Sequence, residues 1–338
     1  MDPPPLGSQP SRGHRPPVVP TDLALFTNGS FPVYFSRTPC AMNRIQYQYQ
    51  YYSMAVLFLQ CLVVPATFNP ASAEEQAPRT YPMQALAPTV ATILNVPVPK
   101  QAEAPPIEAI VNDLQGSKKV AVLGIDAFGD AIWAQTRDRT PYLNGLAQPN
   151  NRARLRSVLP SVTCVNFACM ITGGSQTTTG IETFDSKLAC EDLFSVLRAQ
   201  GLKSGGFGIK DWTGDRLLGR YADLSVRDKA NDEEVLAGLM EIVEEEKPEF
   251  IIVQYGETDA VFHRHGPSSD EARAACGRAD AWLARVVPWL RSRGYAIIIT
   301  ADHGQHDVQN ESGETSGQHG SDSDIDCLVP LVWLRSGD

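Results

Sequence analysis

Tyr295-Ala296-Ile297-Ile298-Ile299-Thr300-Ala301-Asp302-His303-Gly304 is the stretch on which the reading of this chain turns. Its first six residues carry no charge and are rich in β-branched side chains, which predicts a strand buried on both faces. Such strands belong to parallel sheets covered by helices on each side, and ligands of open α/β sheets bind at the C-terminal edge of the strands. Asp302 and His303 would stand on that edge. A carboxylate beside an imidazole suits a borderline ion such as zinc or manganese, although the dipeptide alone is common.

The pattern recurs. Residues 118–125 (KKVAVLGI) run into Asp126-Ala127-Phe128-Gly129, and residues 250–255 (FIIVQY) run into a segment containing Asp259 and His263. Gly317-Gln318-His319-Gly320 precedes a further apolar run at 328–334. Helical patterns at 231–246 and 269–293 lie between these runs. Alternating strands and helices predict an α/β fold, a three-layer α/β/α sandwich around a mostly parallel central sheet. Three Asp and three His (Asp126, Asp259, Asp302, His263, His303, His319) then converge on one rim.

A seventh residue joins them. Leu159-Pro160-Ser161-Val162-Thr163-Cys164-Val165-Asn166 leads into an apolar helix, with Thr163 at its N-terminus, where free N–H groups and the helix dipole favour an anion. A threonine hydroxyl becomes a competent nucleophile when a dication lowers its pKa. Asn166, one turn on, would donate to a developing phosphoryl oxygen. On the local sequence alone, Thr163 reads first as an N-cap, and the nucleophile reading rests on the other motifs.

Taken together, GIDAFG at Asp126, LPSVTCVNFACMITG at Thr163, ETDAVFHRHGP at Asp259 and His263, TADHG at Asp302 and His303, and GQHGS at His319 resemble the alkaline phosphatase superfamily. The likeness is to its type I phosphodiesterase/nucleotide pyrophosphatase branch, and it runs in order from Ala121 to the C-terminus. The resemblance implies two divalent ions, zinc or alternatively manganese. One would be held by Asp259, His263 and His319, the other by Asp126, Asp302 and His303 together with the Thr163 hydroxyl. It further implies hydrolysis of a phosphate mono- or diester through a covalent phospho-threonine. A phosphomutase, a phosphonate-cleaving relative and a non-catalytic metal-binding member of the fold are the alternatives.

Departures from the branch are informative. An aromatic residue that ordinarily follows the nucleophile and packs on a nucleotide base is replaced by Cys164, so a stacking platform is missing at that position. Cys164 lacks the Pro and Arg context of a sulfatase nucleophile. Residues 174–228 predict a small cap insertion over the site, with Lys210, Trp212 and Arg216 as its substrate contacts.

Ahead of the first strand, MQALAPTVATILNVPVP at residues 83–99 resembles the helix that ordinarily closes family members, which implies a circular permutation. The catalytic domain is thus expected over residues 81–338. Residues 1–80 read as a disordered leader with a signal-peptide pattern at 42–73. Use of that signal would mean export, whereas seven cysteines without regular spacing suit the cytoplasm. No stable membrane span is expected, because the apolar stretch at 54–66 is short and broken. A net charge of -10 argues against a broad nucleic-acid surface, but not against the small phosphate ester that the resemblance implies, since two dications would reverse the local field.

Overall fold

Among the described residues nine strands set the frame: β1 (Thr80–Pro82), β2 (Lys119–Ile125), β3 (Arg152–Arg156), β4 (Ser204–Phe207), β5 (Phe250–Tyr255), β6 (Tyr295–Thr300), β7 (His306–Gln309), β8 (Thr315–Gln318) and β9 (Leu328–Leu334). The computed structural model describes residues 78–337. The expected signal peptide and most of the leader lie outside the described residues. Seven strands form one sheet in the order β1-β3-β9-β6-β2-β5-β4, and β7 pairs with β8 in a separate hairpin. Within the large sheet only β9 runs antiparallel to its neighbours β3 and β6.

The apolar runs explain this order. Every residue of β4, β5 and β6 is buried, as are six of the seven in β2. Strands buried along their whole length have helices on both sides, which gives the three-layer α/β sandwich that the sequence predicts. β2, β5 and β6 lie side by side in register, Gly124 facing both Gln254 and Thr300. Their C-terminal ends therefore open onto one patch of surface.

Two expectations change. Thr80 already pairs with Arg154, so the sheet begins inside the segment read as leader. More consequentially, β4 pairs with β5 in the main sheet, so residues 174–228 are not a separate cap. The glycine-rich strand SGGF lacks the side chains that mark a sheet strand, yet all four residues are buried. From this segment, Phe184, Asp211, Trp212 and Thr213 line the pocket beside the site.

The 83–99 segment forms a short 3₁₀ turn and the Leu86–Ile93 helix, whose residues are nearly all buried against the Thr163–Thr172 helix. Glu103 N–H donates to Gly173 O at 2.9 Å, tying the following chain to the end of that helix. Among the described residues no helix is long and apolar enough to cross a membrane.

Candidate active site

Three adjacent strand ends supply most of the site. Asp126 directly follows β2, and Asp302-His303 follow β6 after Ala301. After β5 the chain enters the Glu257–His265 helix, which carries Asp259 and His263 one turn apart. His319 arrives from the loop between β8 and β9, and Thr163 starts the helix Thr163–Thr172. Gly304 lets the β6 end approach its neighbours: a Cβ there would sit 2.0 Å from Ile325 O.

All seven residues meet. The Thr163 Oγ1 lies 3.1 Å from His303 Nε2 and 3.4 Å from Asp126 Oδ1. His303 Nε2 is 3.6 Å from Asp126 Oδ1 and 3.3 Å from Asp302 Oδ2. A few ångströms away, His263 Nε2 lies 3.3 Å from Asp259 Oδ1, and His319 Nε2 lies 3.7 Å from the same oxygen. The His303 and His319 rings stack at 3.9 Å between centroids, so the two groups are contiguous. Asp259 belongs to both, grouping with His263 and His319 on one side and with Asp126 and His303 on the other.

The imidazoles are oriented alike. Nδ1 of His263, His303 and His319 lies 2.9–3.0 Å from the carbonyls of Gly317, Gly304 and Ser161 respectively. Each Nδ1 therefore donates to its carbonyl, which leaves the Nε2 lone pair facing inward, the arrangement that metal-binding histidines adopt. His263 Nε2 and His319 Nε2 then face each other at 3.1 Å, two lone pairs that need a proton or a cation between them. Asp259 Oδ1 and Asp302 Oδ2 are buried without a hydrogen-bond partner. Orphaned carboxylate oxygens beside inward lone pairs are a donor set that fits divalent cations.

Electrostatics agree. Burial, reinforced by the charges of Asp302 and Asp259, pushes the Asp126 carboxyl well above the usual carboxylate range. Burial also works against ionisation of Asp259, but the adjacent imidazoles of His263, His303 and His319 hold it below its ordinary value. The Asp259 carboxylate raises His263, whereas burial and His303 lower His319. Burial pushes the Cys164 thiol up, so the residue beside Thr163 is a packed, protonated thiol.

The other expected site residues fare differently. Asn166 is fully buried and does not face the pocket. Its Oδ1 accepts from Val158 N–H at 2.8 Å, and its amide donates to Val158 O and Val162 O at 3.2 Å, so it shapes the turn that presents Thr163. Trp212 does line the pocket, a space of about 240 Å³ walled also by Asp126, Thr163, Phe184, Thr213 and Asp259. Lys210 and Arg216 are not in that wall. Lys210 pairs with Asp228 at 2.7 Å, and Arg216 bridges Asp185 and Asp211 at 2.9 Å each. Arg216 thereby ties together the two turns that carry Phe184 and Trp212.

Several supporting residues escaped the sequence reading. Gln254 donates to Asp126 Oδ2 at 2.5 Å and accepts from Gly214 N–H at 2.6 Å. It is the one amide in an otherwise apolar strand, which was the available signal. Thr258 donates to Asp126 O at 2.6 Å. His306 donates through Nδ1 to the buried Asp326 at 2.8 Å. Asp326 in turn accepts from the Ser321 N–H and hydroxyl beside His319.

Asp232 anchors the metal-side helix by accepting from Gly256 N–H and Glu257 N–H, both at 2.9 Å. Burial pushes its carboxyl up to about 6. The folded chain then holds this proton more tightly than the unfolded chain, so ionised Asp232 costs stability at pH 7, by up to about 3 kcal/mol. That cost should be relieved as pH falls from about 6 towards about 4. Urea unfolding of the chelated protein across this window should show a slope that Asp232→Asn lacks, and coincident slopes would refute the assignment.

Residues 120–196 and 200–319 match the family described as type I phosphodiesterase / nucleotide pyrophosphatase. Among curated proteins, the 2,3-bisphosphoglycerate-independent phosphoglycerate mutase of Chloroflexus aurantiacus is 33% identical over 100 residues, 30% of this chain. The match spans only 18% of that relative's length. Among solved structures, an inactive variant of murine ectonucleotide pyrophosphatase / phosphodiesterase 5 in complex with AMP superposes with TM-score 0.53. It is 14% identical, with 63% of this chain and 87% of that one covered. Phosphonoacetate hydrolase from Sinorhizobium meliloti, solved with phosphonoformate, gives TM-score 0.48 at 17% identity over 59% of each chain.

Proposed function

We propose, because this chain belongs to the type I phosphodiesterase/nucleotide pyrophosphatase family, that it hydrolyses a small phosphate ester with Thr163 as nucleophile and two divalent cations as cofactors. The observation that carries this reading is the convergence of three inward-facing imidazole Nε2 atoms and two orphaned carboxylate oxygens around the Thr163 hydroxyl. Asp259, His263 and His319 would hold one cation. Asp126, Asp302 and His303 would hold the other, with Asp259 between them. The cations, when bound, would supply charge to lower the pKa of the threonine hydroxyl and to offset charge on the phosphoryl oxygens.

The chain's own residues do the rest. The first turn of the Thr163–Thr172 helix offers amide hydrogens to a phosphoryl oxygen. The Thr163 oxygen, giving up its proton to solvent, forms the bond to phosphorus as the P–O bond to the leaving alcohol breaks and that alcohol takes up a proton. Water later cleaves the threonine ester, releasing phosphate from a monoester or a phosphate monoester from a diester, and restores the hydroxyl. Asn166, by holding the 158–162 turn, keeps the hydroxyl aimed. Phe184, 45% exposed, and Trp212 form the outer walls of the pocket and suit an ester with an apolar or planar group. The same reading takes residues 83–99 as the family's closing helix moved ahead of β2, supported by the burial of Leu86–Ile93 beside the nucleophile helix.

A second reading, phosphomutase, is favoured by the identity to phosphoglycerate mutases. In that case the threonine-bound phosphoryl group passes to an alcohol instead of water. Full-length protein, chelated and then given zinc or manganese, should hydrolyse bis-p-nitrophenyl phosphate or p-nitrophenyl phosphate at least ~10³-fold faster than the chelated protein. Metal-dependent isomerisation of a phosphoglycerate without phosphate release would move the assignment to the mutase.

A further inference from the structure

The backbone of Asp126 is pinned on both sides: its N–H donates to Tyr255 O at 2.9 Å, and its carbonyl accepts from the Thr258 hydroxyl at 2.6 Å. These bonds leave open the rotation of the carboxyl group, which decides the oxygen turned towards Thr163. Gln254 closes that freedom. Its Nε2 donates to Asp126 Oδ2 at 2.5 Å, so Oδ1 is the oxygen that lies 3.4 Å from the Thr163 hydroxyl and 3.6 Å from His303 Nε2. Gln254 is 2% exposed and Asp126 1%, so water does not compete for the contact.

The amide is itself locked. Gln254 Oε1 accepts from Gly214 N–H at 2.6 Å. A backbone N–H can only donate, and an ionised carboxylate can only accept, so a flipped amide would set N–H₂ against N–H and oxygen against oxygen. Gly214 reaches this position by packing on the end of β4, where a Cβ would come within 2.5 Å of Gly208 Cα and 2.6 Å of Phe207 O. Asp302 follows the same plan: its Oδ1 accepts from Ala127 N–H, and its Oδ2 is left free beside His303 Nε2. There the donor is backbone. At Asp126 it is a single side chain, which substitution can remove.

We infer that Gln254 is a positioning residue for the cation assigned to Asp126, Asp302 and His303. It turns Asp126 Oδ1 towards that cation and the Thr163 hydroxyl, and keeps Oδ2 out of the ligand set. The inference rests on the two-cation reading and adds to it a residue that acts through Asp126. Partners that orient a ligating group carry about 10–100-fold in metal affinity.

The test is calorimetric titration of manganese into chelated full-length protein, with wild type beside Gln254→Met and Gln254→Asn. Met fills the space without either hydrogen bond, whereas Asn keeps an amide one methylene too short to span both partners. Wild type should bind two ions. Each variant should bind one of them at least about tenfold more weakly and the other within about threefold of wild type, because His263 and His319 make no contact with Gln254. A residue that served only the fold would lower the melting temperature and spare both affinities. The inference is overturned if both ions keep their affinity in a folded variant, or if the two affinities fall by equal factors. Wild type binding fewer than two ions would overturn the two-cation reading, and the inference with it. If Gln254→Met fails to fold, Gln254→Asn decides alone.

Discussion

Thr163→Ala should lower metal-dependent ester hydrolysis by at least ~10³-fold, while bound metal and thermal stability stay close to wild type. The size follows from removing the atom that forms the first bond, since loss of a nucleophile leaves only the rate enhancement of the surrounding site. The unchanged stability follows from what the hydroxyl does in the fold. Val162, not Thr163, is the cap of the Thr163–Thr172 helix, and no side-chain cap bond is present. Among the described residues the hydrogen-bond partners of Thr163 Oγ1 are His303 and Asp126, so Ala forfeits no cap and none of the ~1 kcal/mol that a cap contributes. Thr163→Ser keeps the hydroxyl and should recover most of the rate. The measurement is initial-rate kinetics on both variants beside metal content by elemental analysis. Turnover by Thr163→Ala within about tenfold of wild type would remove Thr163 from the chemistry.

That contrast also shows where sequence reasoning reached and where it stopped. Residues 250–255, 295–300 and 328–334 were legible to the residue, because continuous apolar runs of this length leave no other stable placement. Asp126, Asp302 and His303 were legible through the ends of such runs, whereas Thr163, Asp259, His263 and His319 were legible through the motifs that carry the family resemblance. β3 was not, because RARLR buries only Ala153 and Leu155 and faces its arginines outward. β4 escaped as a sheet strand because its glycines carry no periodic signal, and the cap was drawn too large as a result. Asn166 shows a different limit. Residue type and spacing placed it one turn from the nucleophile, but only coordinates reveal that its amide is fully committed to the 158–162 turn. The same holds for Arg216, whose charge is consumed by Asp185 and Asp211.

Asp302→Asn should change stability in opposite directions with and without metal. In the chelated protein, Asp302 places a buried carboxylate beside Asp126, whose carboxyl is pushed well above the usual range by burial and by this neighbour. Asp302 Oδ1 accepts from Ala127 N–H at 3.1 Å, but Oδ2 has no partner and lies 3.3 Å from His303 Nε2. An isosteric Asn keeps the first contact, replaces the orphaned oxygen with an N–H₂ that can donate to the imidazole lone pair, and removes one of three clustered charges. An orphaned buried polar atom costs about 1–3 kcal/mol, more when charged. The chelated variant should therefore melt roughly 2–8 °C above chelated wild type. Adding zinc or manganese reverses the order. Wild type gains stability through ligand binding to the folded state alone, about 4 kcal/mol at a thousandfold excess over Kd, whereas the variant has lost a carboxylate donor and gains far less. Paired thermal melts of both proteins, each with chelator and with metal, read the crossing directly. Parallel losses in both conditions would mean that Asp302 serves the fold and not the metal, because a purely structural carboxylate has no reason to become a liability when the cation is withdrawn.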